Sequence, residues 1–199
     1  MKITILTVGK LKESYWKQAI AEYSKRLGLY TKLELVEVED EKTLDQASDL
    51  LCEQIKDKEG DRLLARCPKD GYVIALAIDG KQYDSVALSK HLEKLTVAGR
   101  SHLVFVIGGS LGLSKKVLAR ADEKLSFSAL TFPHQMMRVI LLEQIYRCFR
   151  IQKNEPYHKQ QNYNCAQIRS FIACVSSSPL RHSATRDTTA SASGSTMES

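Results

Sequence analysis

The sequence has no apolar run that approaches the roughly eighteen residues that a membrane-spanning helix needs. Its first residues, MKITILTVGKLKESYW, hold only a short apolar run and no cleavage site of small residues, which argues against a secretory signal. We therefore expect a cytoplasmic protein with no membrane partner.

Metal-binding patterns are missing as well. The five cysteines form no Cys-x-x-Cys pair, and the five histidines lack the spacing of metal ligands. We therefore predict reduced thiols and no metal site. The cysteines are Cys52, Cys67, Cys148, Cys165 and Cys174.

The charge balance excludes little. The formal net charge of +6 at pH 7 permits a nucleic-acid partner, but many soluble proteins without such a partner are as basic. No signature of an RRM or KH module accompanies that charge. Charge alone therefore leaves the class of partner open.

What the sequence does contain is a regular alternation of apolar runs and amphipathic stretches. Hydrophobic periodicity predicts strands at residues 2–8, 32–39, 72–78, 102–109 and 124–130. It predicts helices at residues 14–27, 44–66, 85–98, from about 114, and at 134–152. The runs YVIALAI and HLVFVIGG are apolar throughout, as interior strands covered on both faces are. The pattern predicts an α/β domain with a mostly parallel sheet and helices on both faces.

The last predicted helix is apolar around nearly its whole circumference, although one apolar face would suffice to cover a sheet. A second copy of the chain is one partner for the extra face, which favours a homodimer. The alternative is a helix wedged inside a single core. The apolar residues are Met136, Met137, Val139, Ile140, Leu141, Leu142, Ile145, Tyr146, Cys148 and Phe149.

The composition changes abruptly after Lys159. Residues 160–199 contain nine serines and four threonines but only five charged residues, too little apolar surface for a packed core. We therefore predict a folded domain at residues 1–159 and a disordered, low-complexity extension at residues 160–199.

One glycine-rich turn follows an apolar strand, in the stretch VFVIGGSLGLSKKVL. Gly108, Gly109 and Gly112 stand at its first, second and fifth places, whereas a Walker loop needs a Gly-Lys-Ser/Thr ending and the dinucleotide fingerprint needs glycines at first, third and sixth places. The turn therefore either presents backbone groups to a ligand or simply joins a strand to a helix.

Taken in order, several segments resemble one family. KITILTVGKLKESYWKQAI, VIALAIDGK, FVIGGSLGLS, LSFSALTFPHQMMRVILLEQIYR and EPYHK are similar to the RlmH family, which are large-subunit ribosomal RNA methyltransferases of the SPOUT class. The resemblance covers residues 1–159.

The resemblance implies a C-terminal trefoil knot that binds S-adenosylmethionine, and methylation of the N3 imide nitrogen of a pseudouridine in 23S ribosomal RNA. Carried over by position, the cofactor-binding residues are Leu76, Gly108, Phe127, Ser128, Ala129, Leu130, Thr131 and Phe132. Leu76, Leu130 and bare glycine backbone suit an adenine ring and a thioether-like chain.

The same resemblance implies a homodimer with a composite site that acts on assembled ribosomes. The candidate catalytic residues are His134, Arg138, Tyr157 and His158. Candidate phosphate contacts are Lys10, Lys12, Arg138, Arg147 and Lys159. Two alternatives stay open: a dimeric ribosome-binding protein with a vestigial knot, and an enzyme that uses the glycine turn to bind nucleotide phosphates.

Overall fold

The computed structural model describes residues 1–42 and 48–157. The predicted extension, His158 and Lys159 lie outside them. The strands are β1 (Lys2–Val8), β2 (Lys32–Val38), β3 (Tyr72–Gln82), β4 (His102–Ile107) and β5 (Glu123–Ser126). The helices are α1 (Ser14–Leu27), α2 (Asp49–Arg66), α3 (Ser85–Val97), α4 (Lys115–Arg120) and α5 (His134–Gln152).

The strands form one five-stranded sheet in the order β2-β1-β4-β3-β5, and every pairing in it is parallel. β1 pairs with both β2 and β4, so that Ile5 is level with Leu35 on one side and Phe105 on the other. The predicted α/β class is confirmed. The carboxyl ends of all five strands consequently meet at one edge of the sheet.

Helices cover both faces of this sheet, as the alternation of side chains along β1 and β4 requires. Ile3, Ile5 and Phe105 belong to a core with α1, α3 and α5. Leu6 and Val106 belong to a second core with α2 and α4. The sequence prediction of helices on both faces is confirmed.

α5 matches its predicted bounds and packs between α1 and α3 on the first face of the sheet. Eight of its residues are buried, and none of its residues is exposed. The apolar circumference is therefore filled largely within one protomer, which is the alternative of a helix wedged inside a single core. The circumference of α5 thus carries no independent argument for a homodimer.

The predicted start of α2 is wrong. The helix begins at Asp49, because the backbone of Ser48 is extended and its side chain accepts a hydrogen bond from the N–H of Leu51, 3.3 Å away. A serine in this position satisfies one of the free N–H groups of the first turn. The predicted helical residues 44–47 lie outside the described part of the chain.

β3 continues past its predicted end at residue 78, through a break in register. Leu76 and Lys81 are both level with Leu125 of β5, so residues 77–80 form a bulge between them. Gly80 lies against β5 so closely that a Cβ there would be 2.6 Å from the carbonyl carbon of Leu125. After the bulge, Lys81 and Gln82 pair with β5 again, and residues 83–84 then lead into α3.

β5 is shorter than predicted. It ends at Ser126, and residues 127–130 leave the sheet as a loop held by two local hydrogen bonds. The hydroxyl of Ser126 donates to the carbonyl of Ser128 at 3.1 Å, and the hydroxyl of Ser128 accepts from the N–H of Leu130 at 3.0 Å. Serine side chains that bond to nearby backbone compete with strand pairing, which ends the strand.

Among the described residues, no helix is long and apolar enough to cross a membrane.

Candidate functional site

A cavity of about 650 Å³ lies beyond the carboxyl ends of β4 and β5 and beside the bulge of β3. Ligands of open parallel sheets bind at this edge, because the loops that leave the strands converge there. Three segments and the start of α5 form the walls: residues 76–78, the turn 107–112, and the loop 125–133.

Seven of the eight predicted cofactor-binding residues line this one cavity, although they come from three separate strands and loops. They are Leu76, Gly108, Phe127, Ser128, Leu130, Thr131 and Phe132. Ala129 is not among the lining residues. Lining residues that the sequence reasoning missed include Ile78, Leu111 and Met137. Ile78 and Leu111 lie inside the segments VIALAIDGK and FVIGGSLGLS, close to Leu76 and Gly108, and that closeness in sequence was the available signal.

The walls of the cavity are mainly apolar. Leu130 is 70% exposed and Ile78 is 60% exposed, so both present hydrocarbon to the solvent at the mouth. Large apolar side chains left open around a concave surface are typical of a ligand site. The walls are suited to a flat ring or an alkyl chain.

The glycine turn folds back on itself. Gly109 and Gly112 form an isolated antiparallel bridge, in which the N–H of Gly112 donates to the carbonyl of Gly109 at 3.2 Å. A Cβ on Gly108 would lie 2.6 Å from the carbonyl carbon and oxygen of Gly112. Glycine at 108 is therefore needed for the turn to close. Gly108 also lines the cavity, so that its bare backbone borders the space open to a ligand as well.

His134 is the first residue of α5 and lies in the cavity wall. Burial lowers its pKa below the ordinary value of 6.5, Arg138 lowers it further, and Asp40 opposes both. The Nε2 atom of His134 and the side chain of Asp40 both border Gly9. The imidazole is therefore neutral near pH 7 and able to accept a proton.

Arg138 is one turn further along α5 but is not among the lining residues. Its guanidinium is buried and donates to the carbonyl oxygens of Val8 at 2.6 Å and Gly9 at 2.8 Å, and to Glu37 Oε1 at 2.7 Å. The structure therefore does not bring Arg138 to the reacting groups. It cross-links α5 to the ends of β1 and β2.

Tyr157 packs edge-on against Tyr146 and donates to Glu143 Oε1 at 3.3 Å, and it does not line the cavity. Burial, together with Glu143, raises the pKa of its hydroxyl, so the phenol stays protonated. Glu143 lies about 13 Å along α5 from His134 at 1.5 Å per residue. The structure therefore does not bring Tyr157 and the cavity of the same chain together.

The segment that leads to Tyr157 is anchored at Glu155. The hydroxyl of Tyr30 donates to Glu155 Oε2 at 2.5 Å, and Arg150 pairs with the same oxygen at 2.8 Å. These contacts fix the direction in which the chain leaves α5. The predicted catalytic residue His158 lies just outside the described residues.

The candidate phosphate contacts divide into two groups. Lys10 and Lys12 are exposed in the segment that follows β1, on the same edge of the sheet as the cavity. Arg138 is buried, and Arg147 is half-buried and donates from Nε to Glu143 at 3.0 Å. Arg138 therefore cannot contact an RNA backbone, and Arg147 is already engaged by a carboxylate.

Within residues 1–42 and 48–157, no group of three or more His, Cys, Asp or Glu side chains is arranged to hold a metal ion.

Solved structures with a weak likeness to this chain include two methylase family proteins. A probable methylase family protein from Haemophilus influenzae Rd KW20 has 16% identity and a TM-score of 0.47, over 86% of this chain and 76% of that one. A putative methylase family protein from Neisseria gonorrhoeae has 16% identity and a TM-score of 0.46, over 86% of this chain and 93% of that one. The family model described as predicted SPOUT methyltransferase matches residues 1–158. Since that match spans most of the sequence, the chain belongs to the SPOUT methyltransferase family, the family that includes RlmH.

Proposed function

We propose that this chain transfers a methyl group from S-adenosylmethionine to the N3 imide nitrogen of a pseudouridine in the 23S RNA of the large ribosomal subunit. The observation that carries the proposal is the apolar cavity beside the bulge of β3 and the carboxyl ends of β4 and β5, lined by the segments that the resemblance to RlmH indicates. Family membership supports the reaction class, methyl transfer.

The lining residues fit S-adenosylmethionine. Its adenine ring and methionine chain need apolar walls, which Leu76, Leu130 and Phe132 supply, and main-chain hydrogen bonds, which the glycine turn and residues 126–131 supply. When bound, the cofactor supplies an electrophilic methyl group on a sulfonium. The walls would hold that methyl in line with the attacking nitrogen and keep water away from it.

His134 would take the imide proton. A base for this step has to be neutral at the working pH and within reach of the substrate nitrogen. His134 meets the first condition, because burial holds its pKa low, and it lies in the cavity wall. For methyl transfer of this kind, the residues of the chain then have only to align the cofactor with the target base and to remove the imide proton.

A homodimer would complete the site. Tyr157 lies well away from the cavity of its own chain, so it and His158 would act at the cavity of a partner subunit, as in the composite site of RlmH-like enzymes. We also propose that this chain forms the C-terminal trefoil knot of that family. We further propose that Lys10 and Lys12 contact RNA phosphates of the assembled ribosome in the cytoplasm.

Two measurements test the function. Calorimetry with S-adenosylmethionine should show one site per chain, and mass spectrometry should show methylated pseudouridine only in ribosomes treated with the active protein. His158→Ala should retain cofactor affinity and lose methylation. Failure of the cofactor to bind, with ribosome binding retained, would instead favour a ribosome-binding protein without catalysis.

Mixed dimers test whether the site is shared between subunits. Leu130→Asp should abolish cofactor binding without unfolding the chain, because that side chain is 70% exposed at the cavity mouth. A heterodimer of Leu130→Asp with His158→Ala should recover one working site. No recovery in a verified heterodimer would mean that each chain carries its own complete site.

A further inference from the structure

α2 carries a carboxylate in a core position. Its buried residues include Ile55, Glu59 and Leu63, which repeat every four residues along one face of the helix. Glu59 is only 5% exposed, whereas charged side chains are almost never buried unless they are paired. The methyl-transfer scheme above gives Glu59 no task.

The two carboxylate oxygens of Glu59 have different surroundings. Oε1 accepts a hydrogen bond from the backbone N–H of Glu41 at 3.0 Å. Oε2 is buried and has no hydrogen-bond partner among the described residues. An unpaired buried oxygen of this kind is costly and needs an explanation.

Oε2 faces the glycine turn. A Cβ on Gly109 would lie 3.0 Å from Glu59 Oε2 and 3.2 Å from Val8 Cγ1, so only a residue without a side chain lets this carboxyl lie so close to the turn. Gly109 also lines the cavity, and its carbonyl closes the turn by accepting from Gly112. Glu59 therefore packs against the glycine turn, which forms part of the cavity wall.

We propose that Glu59 is a positioning residue, which holds the glycine turn in its ligand-binding shape by packing its carboxyl against Gly109 while it accepts a hydrogen bond from the backbone N–H of Glu41. The inference deepens the proposed function, since it takes S-adenosylmethionine as the ligand of the cavity. It also links the cavity to the segment that follows β2, which contributes no lining residue.

The protonation state of Glu59 follows from its neighbours. Burial raises its pKa, and Asp40 and the Glu41 carboxylate raise it further, while the bond from the Glu41 N–H and the charge of Arg62 lower it. His134 of α5 lies beside Asp40 at Gly9. A raised pKa means that the close packing is intact at low pH and weakens as the pH rises through that pKa.

The experiment compares the full-length wild type with Glu59→Gln, Glu59→Ala and the control Asp61→Asn, which removes an exposed carboxylate from the same helix. Hydrogen exchange of residues 108–112 is measured without ligand, and S-adenosylmethionine affinity is measured by calorimetry from pH 5 to pH 9. Glu59→Ala should speed the exchange and weaken affinity about tenfold, because Gly109 loses the carboxyl that packs against it and the Glu41 N–H loses its acceptor.

The remaining variants distinguish the packing role of the Glu59 side chain from the effect of its charge. Glu59→Gln keeps an acceptor and cannot ionise, so it should bind nearly as the wild type does where Glu59 is protonated, and it should lack the loss of affinity that ionisation of Glu59 causes as the pH rises. Titration of His134 and of the cofactor's amino group occurs in both proteins and cancels in the difference. Asp61→Asn should match the wild type in both measurements.

Wild-type exchange rates in a folded Glu59→Ala variant would overturn the inference, even if the cofactor binds tightly. An unchanged pH dependence in Glu59→Gln would also overturn it. If the wild type did not bind S-adenosylmethionine, the proposed function would fail, and the exchange measurement would still decide the role of Glu59. Should Glu59→Ala not fold, the exchange rates of Glu59→Gln against pH decide it.

Discussion

Replacing Arg138 with methionine should destabilise the domain rather than stop its chemistry. The guanidinium donates to the buried carbonyls of Val8 and Gly9, and methionine keeps the length of the side chain but none of its donors. Each buried carbonyl left without a partner costs about 1–3 kcal/mol. Glu37 is 36% exposed on its side chain, so its carboxylate returns to water at little cost.

The loss should therefore be about 3 kcal/mol, since the release of a buried charge offsets part of the sum. For a domain of this size that corresponds to a melting temperature lower by about 6–12 °C. Urea unfolding followed by circular dichroism measures it, with Glu37→Gln as the control. That control removes only the charge of the half-exposed partner and should cost under about 1 kcal/mol.

Two results would refute this reasoning. If Arg138→Met unfolded within about 1 kcal/mol of the wild type, the two carbonyls would not depend on the guanidinium. If the variant were as stable as the wild type but failed to methylate ribosomes, Arg138 would be catalytic, as the sequence resemblance first suggested.

Three further predictions concern the cavity and its surroundings. Gly108→Ala should cost about 2 kcal/mol or more in urea unfolding, because its Cβ would lie 2.6 Å from the backbone of Gly112; wild-type stability would show that the turn opens freely. His134→Gln should keep cofactor affinity and slow methylation about a hundredfold or more. The wild-type rate should fall only below pH 6.5, because burial lowers the pKa of His134, and a decline that begins on acidification from pH 8 would contradict its role as base. Lys10→Glu combined with Lys12→Glu should leave unfolding unchanged but weaken ribosome binding in filter assays and reduce its salt dependence, whereas equal affinity would place the RNA elsewhere.

Periodicity was sufficient to predict the elements with long, uniform patterns. α5 has its predicted bounds, and the apolar strands β1 and β4 pair in the interior of the sheet. The continuation of β3 past Ile78 was not predictable in this way, because the apolar run stops at the polar residues 79–82, although Lys81 and Gln82 still pair with β5. The early end of β5 depends on local bonds of Ser126 and Ser128.

The candidate site was likewise predicted only in part from the sequence. Most of the cavity wall follows from segments that the resemblance indicates, because they are contiguous in sequence. Glu59 was missed, since it stands in the charged run KDKEGDR, which reads as a solvated helix face. The one available signal was Gly60 inside a helix: a Cβ there would lie 2.1 Å from Ser114 Oγ, which shows that this face of α2 packs closely against α4.

The bulge in β3 lets one strand both pair with β5 and form part of the cavity wall. Leu76 and Lys81 are level with the same residue of β5, so the strand pairing on either side of the bulge does not depend on how many residues lie between them. Ala77 and Ile78 belong to that excursion and line the cavity. Insertions or deletions in the bulge would change the shape of the binding surface while the strand pairing of the core stays in register. Related chains could therefore differ in ligand or substrate preference at this position without a change of fold.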